Sequence, residues 1–168
     1  MKSALKFIAF AFLTLAPLST YAQSNVAHIN VQQLISEMPE VIAAQNELAK
    51  LEKDYTTQID NAFKEFQTKA QSYSADAANQ TDVTNQARQK ELESMQTHLQ
   101  EFRDSAAQEL QKKQMDLMTP LLEKARNAIT KVGQEQGFDY VIDSSPNGGI
   151  ILADGKDLIE DVKRELGF

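Results

Sequence analysis

Between Glu40 and Thr119 the chain runs for 80 residues without a glycine or a proline. Ala, Gln, Glu, Lys and Leu dominate this stretch, and all are good helix formers. The six glycines all fall within the last 36 residues. One unbroken helix of that length is out of proportion to a 168-residue chain, so a turn is expected inside it. Ser72 to Thr84 (SYSADAANQTDVT) is polar and rich in Asn, Asp, Ser and Thr, whose side chains compete with the helix for backbone hydrogen bonds. This segment predicts the turn, with Thr81 or Asp82 capping the returning helix.

The apolar residues test that reading. Before the turn they fall at Val41, Leu48, Leu51, Tyr55, Ile59, Phe63, Phe66, Ala70 and Tyr73; after it at Leu92, Met95, Leu99, Phe102, Ala106, Leu110, Leu117 and Leu121. Steps of three and four give a coiled-coil-like stripe on each helix. If the helices fold back on each other, the numbers of facing residues have a constant sum. Phe66 with Leu92, Phe63 with Met95, Ile59 with Leu99, Leu48 with Leu110 and Val41 with Leu117 all sum to 158, and Tyr55 with Phe102 to 157. Half of 158 puts the tip near residue 79, inside the polar segment. The same register sets Pro39 beside Pro120, so two helix-disrupting residues bracket the base of the arm and are its candidate hinges. Roughly 40 residues per limb make an arm of about 60 Å.

The remainder, 23–38 and 121–168, is a small body. Val26 to Val31 and Phe138 to Asp143 alternate like strands, and Ile150 to Ala153 (IILA) is a short apolar run. Pro146 to Gly149 carries a hairpin signal between the last two, because Asn-Gly tolerates positive φ. Asp139 and Asp143 alternate against Phe138, Tyr140 and Ile142 and are expected to point off the core. Lys131 and Gly137 mark the end of the second long helix. A last helix is expected after Asp157 as cap, with Glu160 in a capping-box position and Leu158, Ile159, Val162 and Leu166 facing inward. The expected fold is α+β, mainly α: a long antiparallel helical hairpin projecting from a small β-sheet body. So thin a core, without disulfides, predicts self-association to complete the sheet.

The first residues bear on compartment. Lys2 and Lys6 precede an apolar stretch from Phe7 to Leu18, and Thr20-Tyr21-Ala22 supplies small residues at −3 and −1 of a cleavage point. This is the pattern of a secretory signal peptide over 1–22, cleaved near Gln23. The apolar stretch is too short to span a bilayer, and membrane contact is expected to be at most transient. No cysteine is present, so neither disulfides nor thiolate metal sites are available. Removing Lys2 and Lys6 leaves 15 basic against 24 acidic residues, a net charge of −9, which argues against nucleic acid as a partner.

Taken together, the first strand running into a short helix (VAHINVQQLISEMPE), the long charged hairpin, "EQGFDYVIDSS" and "GKDLIEDVKREL" resemble the Skp, or OmpH-like, periplasmic chaperones. The likeness covers essentially the whole mature chain and is carried more by its ends than by the arm. It implies a homotrimer whose subunits add strands to a central body, with three arms around a cavity that shields unfolded outer-membrane proteins. The function so implied is that of an ATP-independent periplasmic holdase. The chain departs from well-known members in being acidic where they are basic, so neither a basic capture surface nor lipopolysaccharide binding is carried over.

An enzyme needs a constellation of groups, and none assembles here. His28 in the first strand and His98 beside the arm seam are the only histidines, and two isolated imidazoles fall short of a zinc site. The carboxylate pairs read as solvated helix faces or caps. No phosphate-binding G-x-x-x-x-G-K-[ST] loop occurs, so neither a cofactor nor catalysis is expected. The candidate client-binding residues are Ile42, Met115, Met118 and Leu122, apolar side chains near the arm base beside the seam. Methionine suits that role because its flexible thioether adapts to varied apolar surfaces. A plainer role for all four is packing against the body or between subunits. The rival function is a structural coiled-coil spacer or assembly adaptor with one fixed partner.

Overall fold

The computed structural model describes residues 24–146 and 149–168. The expected signal peptide and the centre of the expected Pro146 to Gly149 turn therefore lie outside the described residues. Strand β1 (Val26–Ile29) stops short of the expected Val31 because Asn30 caps a helix there, its Oδ1 accepting from the Gln33 amide at 2.9 Å. Helix α1 (Val31–Glu37) ends at Met38, whose backbone is extended. The cause is Pro39, which disfavours helical geometry in the residue before it. Pro39 in turn opens α2 at a position where its missing N–H costs nothing.

Helix α2 (Pro39–Asp76) and helix α3 (Asp82–Glu135) form the arm, joined by a single 3-10 turn at Ala77–Asn79. Thr81 is the cap, accepting from the Thr84 amide at 3.2 Å. Tyr55 and Phe102 meet edge to face across the seam with ring centroids 6.0 Å apart, as their summed numbers predict. Leu99 and Ala106 are buried, while most of the seam, including Leu48, Ile59, Phe66, Leu92, Met95 and Leu110, is only half-buried. Two helices alone cannot enclose a stripe that a bundle of three or four would cover. Pro120 lies inside α3 without ending it. The helix closes on Gly137, whose φ of +74° lets the Phe138 amide donate to the Gly133 carbonyl at 3.0 Å.

The body holds a three-stranded, wholly parallel sheet in the order β2-β1-β3, with β2 at Tyr140–Asp143 and β3 at Lys156–Asp157. This corrects the expected hairpin. Ile150 to Ala153 forms no strand, and β3 follows it. Because β2 and β3 flank β1 on opposite edges and run the same way, residues 144–155 must carry the chain back across the sheet end rather than turn tightly on themselves. The phase of β2 is corrected too. Val141, paired with Ala27, packs against the core, whereas Tyr140 and Ile142 point to the other face, where Val26 and His28 stand. Asp139 and Asp143, expected to point off the core, fall instead on the same side as Val141 and line the cleft beside it, staying exposed at the strand's ends.

The core lies on one face of the sheet. Ala27 and Ile29 of β1 meet Leu34, Met38 and Val41 from one side, and Ala125, Ala128 and Val132 of α3 from another. Helix α4 (Ile159–Leu166) closes it with Leu158 and Val162 fully buried and Ile159 and Leu166 packed at its margin. Asp157 Oδ1 accepts from the Ile159 amide at 3.0 Å, but Leu158 holds the cap position. Glu160 pairs with Lys163 at 3.1 Å instead of reaching back, so the capping box does not form.

Candidate functional site

The arm base presents an apolar face that none of the described residues covers. Met115, Met118 and Leu122 recur at steps of three and four, so they share one side of α3. Met115 is 55 % exposed and Leu122 44 %, with Ile42 of α2 at 45 %. Met118 differs from them, being half-buried against the core. Of the four candidates, three are therefore free and one is partly committed to packing.

Leu122 also opens onto a cleft of 620 Å³ between α3 and the β2 edge of the sheet. Its apolar lining includes Ile29 and Ile35 from the start of the described chain and Ile129, Phe138 and Val141 from near its end. No sequence pattern pointed to this cleft, because it exists only once β1, α1 and α3 are brought together. The free face of the sheet adds Val26, Tyr140 and Ile142, of which Tyr140 is 61 % exposed. Ile151 and Leu152 stand almost wholly in solvent on the segment leading into β3. Their apolar run was visible in the sequence, but as a strand of this chain's own sheet.

Polar interactions hold the arm's shape and occupy its outer faces. Lys69 pairs with Glu91 at 2.5 Å, Lys113 with Glu47 at 2.8 Å and Lys124 with Glu40 at 2.8 Å, all across the seam. Near the tip the Arg88 guanidinium bonds Asp76 at 3.0 Å and lies 4.7 Å from the centroid of the Tyr73 ring, a cation–π contact. The hydrogen bond from Arg88 holds the Asp76 carboxyl below its usual range. Lys69, with help from Tyr73, does the same for Glu91. Both pairs are exposed to solvent, which screens them, so they add little to stability. Their effect is to fix the register of the limbs.

At the foot of the sheet, Asp143 Oδ1 accepts from the Ser145 hydroxyl at 2.6 Å, the Ser145 amide at 2.9 Å and the Val31 amide at 3.3 Å. The Ser145 hydroxyl is the largest cause of the lowered Asp143 pKa, followed among the stabilising contacts by the two amides. This is a structural clamp joining β2 to the start of α1. His28 Nδ1 lies 3.1 Å from Ser144 Oγ, and His98 is exposed on the arm. Among the described residues no group of His, Asp and Glu has the spacing to hold a metal ion. No helix among them is long and apolar enough to cross a membrane.

Comparison with known proteins agrees with this architecture. The chaperone protein Skp of Yersinia enterocolitica is 26 % identical over 160 residues, covering 92 % of this chain and 93 % of that one. The chaperone protein Skp of Pectobacterium atrosepticum is 20 % identical over 151 residues, covering 90 % of each. A crystal structure of an OmpH-like outer membrane chaperone from Caulobacter crescentus superposes with a TM-score of 0.76 at 12 % identity, over 86 % of this chain and 85 % of that one, and so shows the same fold. The model of the family described as outer membrane protein (OmpH-like) matches residues 25–166, nearly everything after the leader-like segment, and this chain belongs to that family.

Proposed function

We propose that this protein is an ATP-independent holdase chaperone of the periplasm, which binds unfolded outer-membrane proteins and keeps them from aggregating in transit. One observation carries the reading: a helical arm longer than any core here can cover meets the body at an uncovered apolar face, formed by Ile42, Met115 and Leu122. Soft, adaptable side chains at that position suit weak contacts with many unfolded sequences better than a lock on one partner. The names of the Skp relatives support the same reading. The leader-like residues 1–22 support export.

The body's incomplete burial supports self-association, and the family resemblance supplies the number three. A sheet buries both faces when it can, and here Val26, Tyr140 and Ile142 leave the second face apolar and bare. The cleft lies at the β2 edge, and the apolar Ile150 to Leu152 segment leads into β3 at the opposite edge. Complementary patches at opposite edges suit head-to-tail contacts, which form a ring where the rotation between copies closes. Three arms around one axis then multiply weak contacts into useful retention of a client.

The test is suppression of aggregation. At substoichiometric trimer, the mature protein should keep several unrelated unfolded β-barrel proteins soluble without nucleotide. Failure on all of them, with tight binding to one envelope protein, would establish the spacer instead.

A further inference from the structure

Beyond the midpoint of the arm, towards its tip, the seam opens. Phe63 and Phe66, one turn apart on α2, stack with ring centroids 6.5 Å apart and planes at 23°. They leave a notch of 470 Å³ between themselves and α3. Phe63 remains 40 % exposed, although it occupies a seam position. Roughly 150 Å³ suffices to hold a benzene ring, so an aromatic side chain fits the notch with room for the backbone that carries it. The stacked pair offers ring edges and a ring face to such a guest, in the edge-to-face or offset geometry that aromatic groups prefer.

The charges around the notch are unevenly placed. Buried Leu99 forms its floor, and Arg103 stands one turn further along α3, about 40° around the helix from Leu99. Glu101 also lines the notch but is turned about 160° from Leu99, at the outer rim. Arg103 pairs with no carboxylate among the described residues, as is also true of Lys50, Lys53, Lys64, Lys90 and Lys112 on the arm, but of these it alone lines the notch. Gln96 and Gln100 beside it carry amides able to bond an extended backbone. A planar guanidinium left free next to an aromatic slot is complementary to a carboxylate set beside an aromatic ring.

Resting on the chaperone reading above, we infer that the notch between the stacked Phe63–Phe66 pair and Arg103 is a client subsite for an aromatic side chain flanked by a carboxylate, whether an acidic neighbour or a chain-terminal carboxyl. It gives the arm a chemical preference on top of its general stickiness. Unfolded β-barrel chains are suited to it, since aromatic residues recur in girdles along their strands.

The experiment uses the full mature chain with isotope-labelled methyl groups, titrated with acetylated hexapeptides. One set ends in Phe with a free carboxyl, one in Phe amide, one in Leu with a free carboxyl, and one carries internal Glu-Phe with an amidated end. The Phe acid should shift the Leu99 methyls, and the amide should bind roughly two- to five-fold more weakly, as expected for one exposed ion pair. The Leu peptide should bind more weakly still. Equal affinity of the Glu-Phe amide and the Phe acid would assign either source of carboxylate to the site; preference for the acid would narrow it to chain ends. Arg103→Gln should abolish the difference between Phe acid and Phe amide while leaving the helical content unchanged. Phe63→Ala should cut Phe-peptide affinity roughly five- to ten-fold, and Phe63→Leu, which keeps the seam filled, should lose the preference of Phe over Leu. Equal binding of all four peptides, no Leu99 shift at millimolar peptide, or an undiminished acid preference in Arg103→Gln overturns the subsite. A parallel aggregation assay separates the two readings: wild type holding clients without peptide selectivity loses the subsite and keeps the holdase, and selectivity without client holding does the reverse.

Discussion

Gly133 is buried inside a helix, where alanine is ordinarily the better residue by about 1 kcal/mol. Here a Cβ would stand 2.7 Å from Val141 Cγ2, on a β-branched side chain with little freedom to move aside. Gly133→Ala is therefore expected to destabilise the body by about 1–3 kcal/mol, read as a lower urea midpoint. Adding Val141→Ala should recover part of the loss, a non-additivity that a double-mutant cycle detects. At Asp143 the expectation concerns pH. Its folded pKa is held down by the Ser145 hydroxyl and two amides, so its share of stability is fully present above about pH 4–5 and fades as pH falls through the depressed value. Asp143→Asn should lower the urea midpoint at pH 7 but lose less than wild type on moving to pH 3. An equal fall in both proteins would remove Asp143 from the acid response.

At the scale of elements, the arm was legible and the sheet only partly so, for physical reasons. Helix pairing repeats every few residues over two 38-residue limbs, so one wrong position does not disturb the register, and Tyr55 meets Phe102 as read. A four-residue strand offers two inward positions, and in β2 both faces carry apolar residues, so alternation alone chose Tyr140 and Ile142 over Val141. Lys156–Asp157 has no strand pattern at all; it pairs because β1 has a vacant edge. The exposure of Ile42, Met115 and Leu122, though not the partial burial of Met118, could be read because they lie outside or beside the stripe that pairs the helices, whereas the cleft depends on tertiary closure. The prolines differ in what they should do as hinges. Pro39 sits where a helix accepts it at no cost, while Pro120 deprives α3 of an internal N–H. Pro120→Ala should raise thermal stability, by up to about 3 kcal/mol, and reduce holding capacity for large clients more than for small ones. Pro39→Ala alone should change both much less. Unchanged capacity in the double variant would place arm flexibility elsewhere.

The whole molecule has more apolar surface than one copy can hide, and its distribution argues for how copies meet. The arm is joined to the body by α3 as one continuous helix, bendable at Pro120, so in the proposed trimer the contacts that fix the bodies would also set the mean direction of the arms. On that account, damage to the body contacts should cost chaperone capacity without touching the arm. The combined substitution Ile151→Asp and Leu152→Ser changes two exposed side chains that make no core contact in the single chain, so folding of each copy should survive. In the proposed ring the same positions would meet the apolar cleft of the next subunit, where a carboxylate would lose its water without gaining a partner. Native mass measurement should therefore find wild type at three times the subunit mass and the variant at one. Helical content, dominated by the arm, should stay within a few per cent of wild type, while suppression of aggregation should fall several-fold at equal subunit concentration because avidity is lost. A variant that remains trimeric would rule out the Ile151–Leu152 contact and leave the bare sheet face of Val26, Tyr140 and Ile142 as the surface through which the copies join.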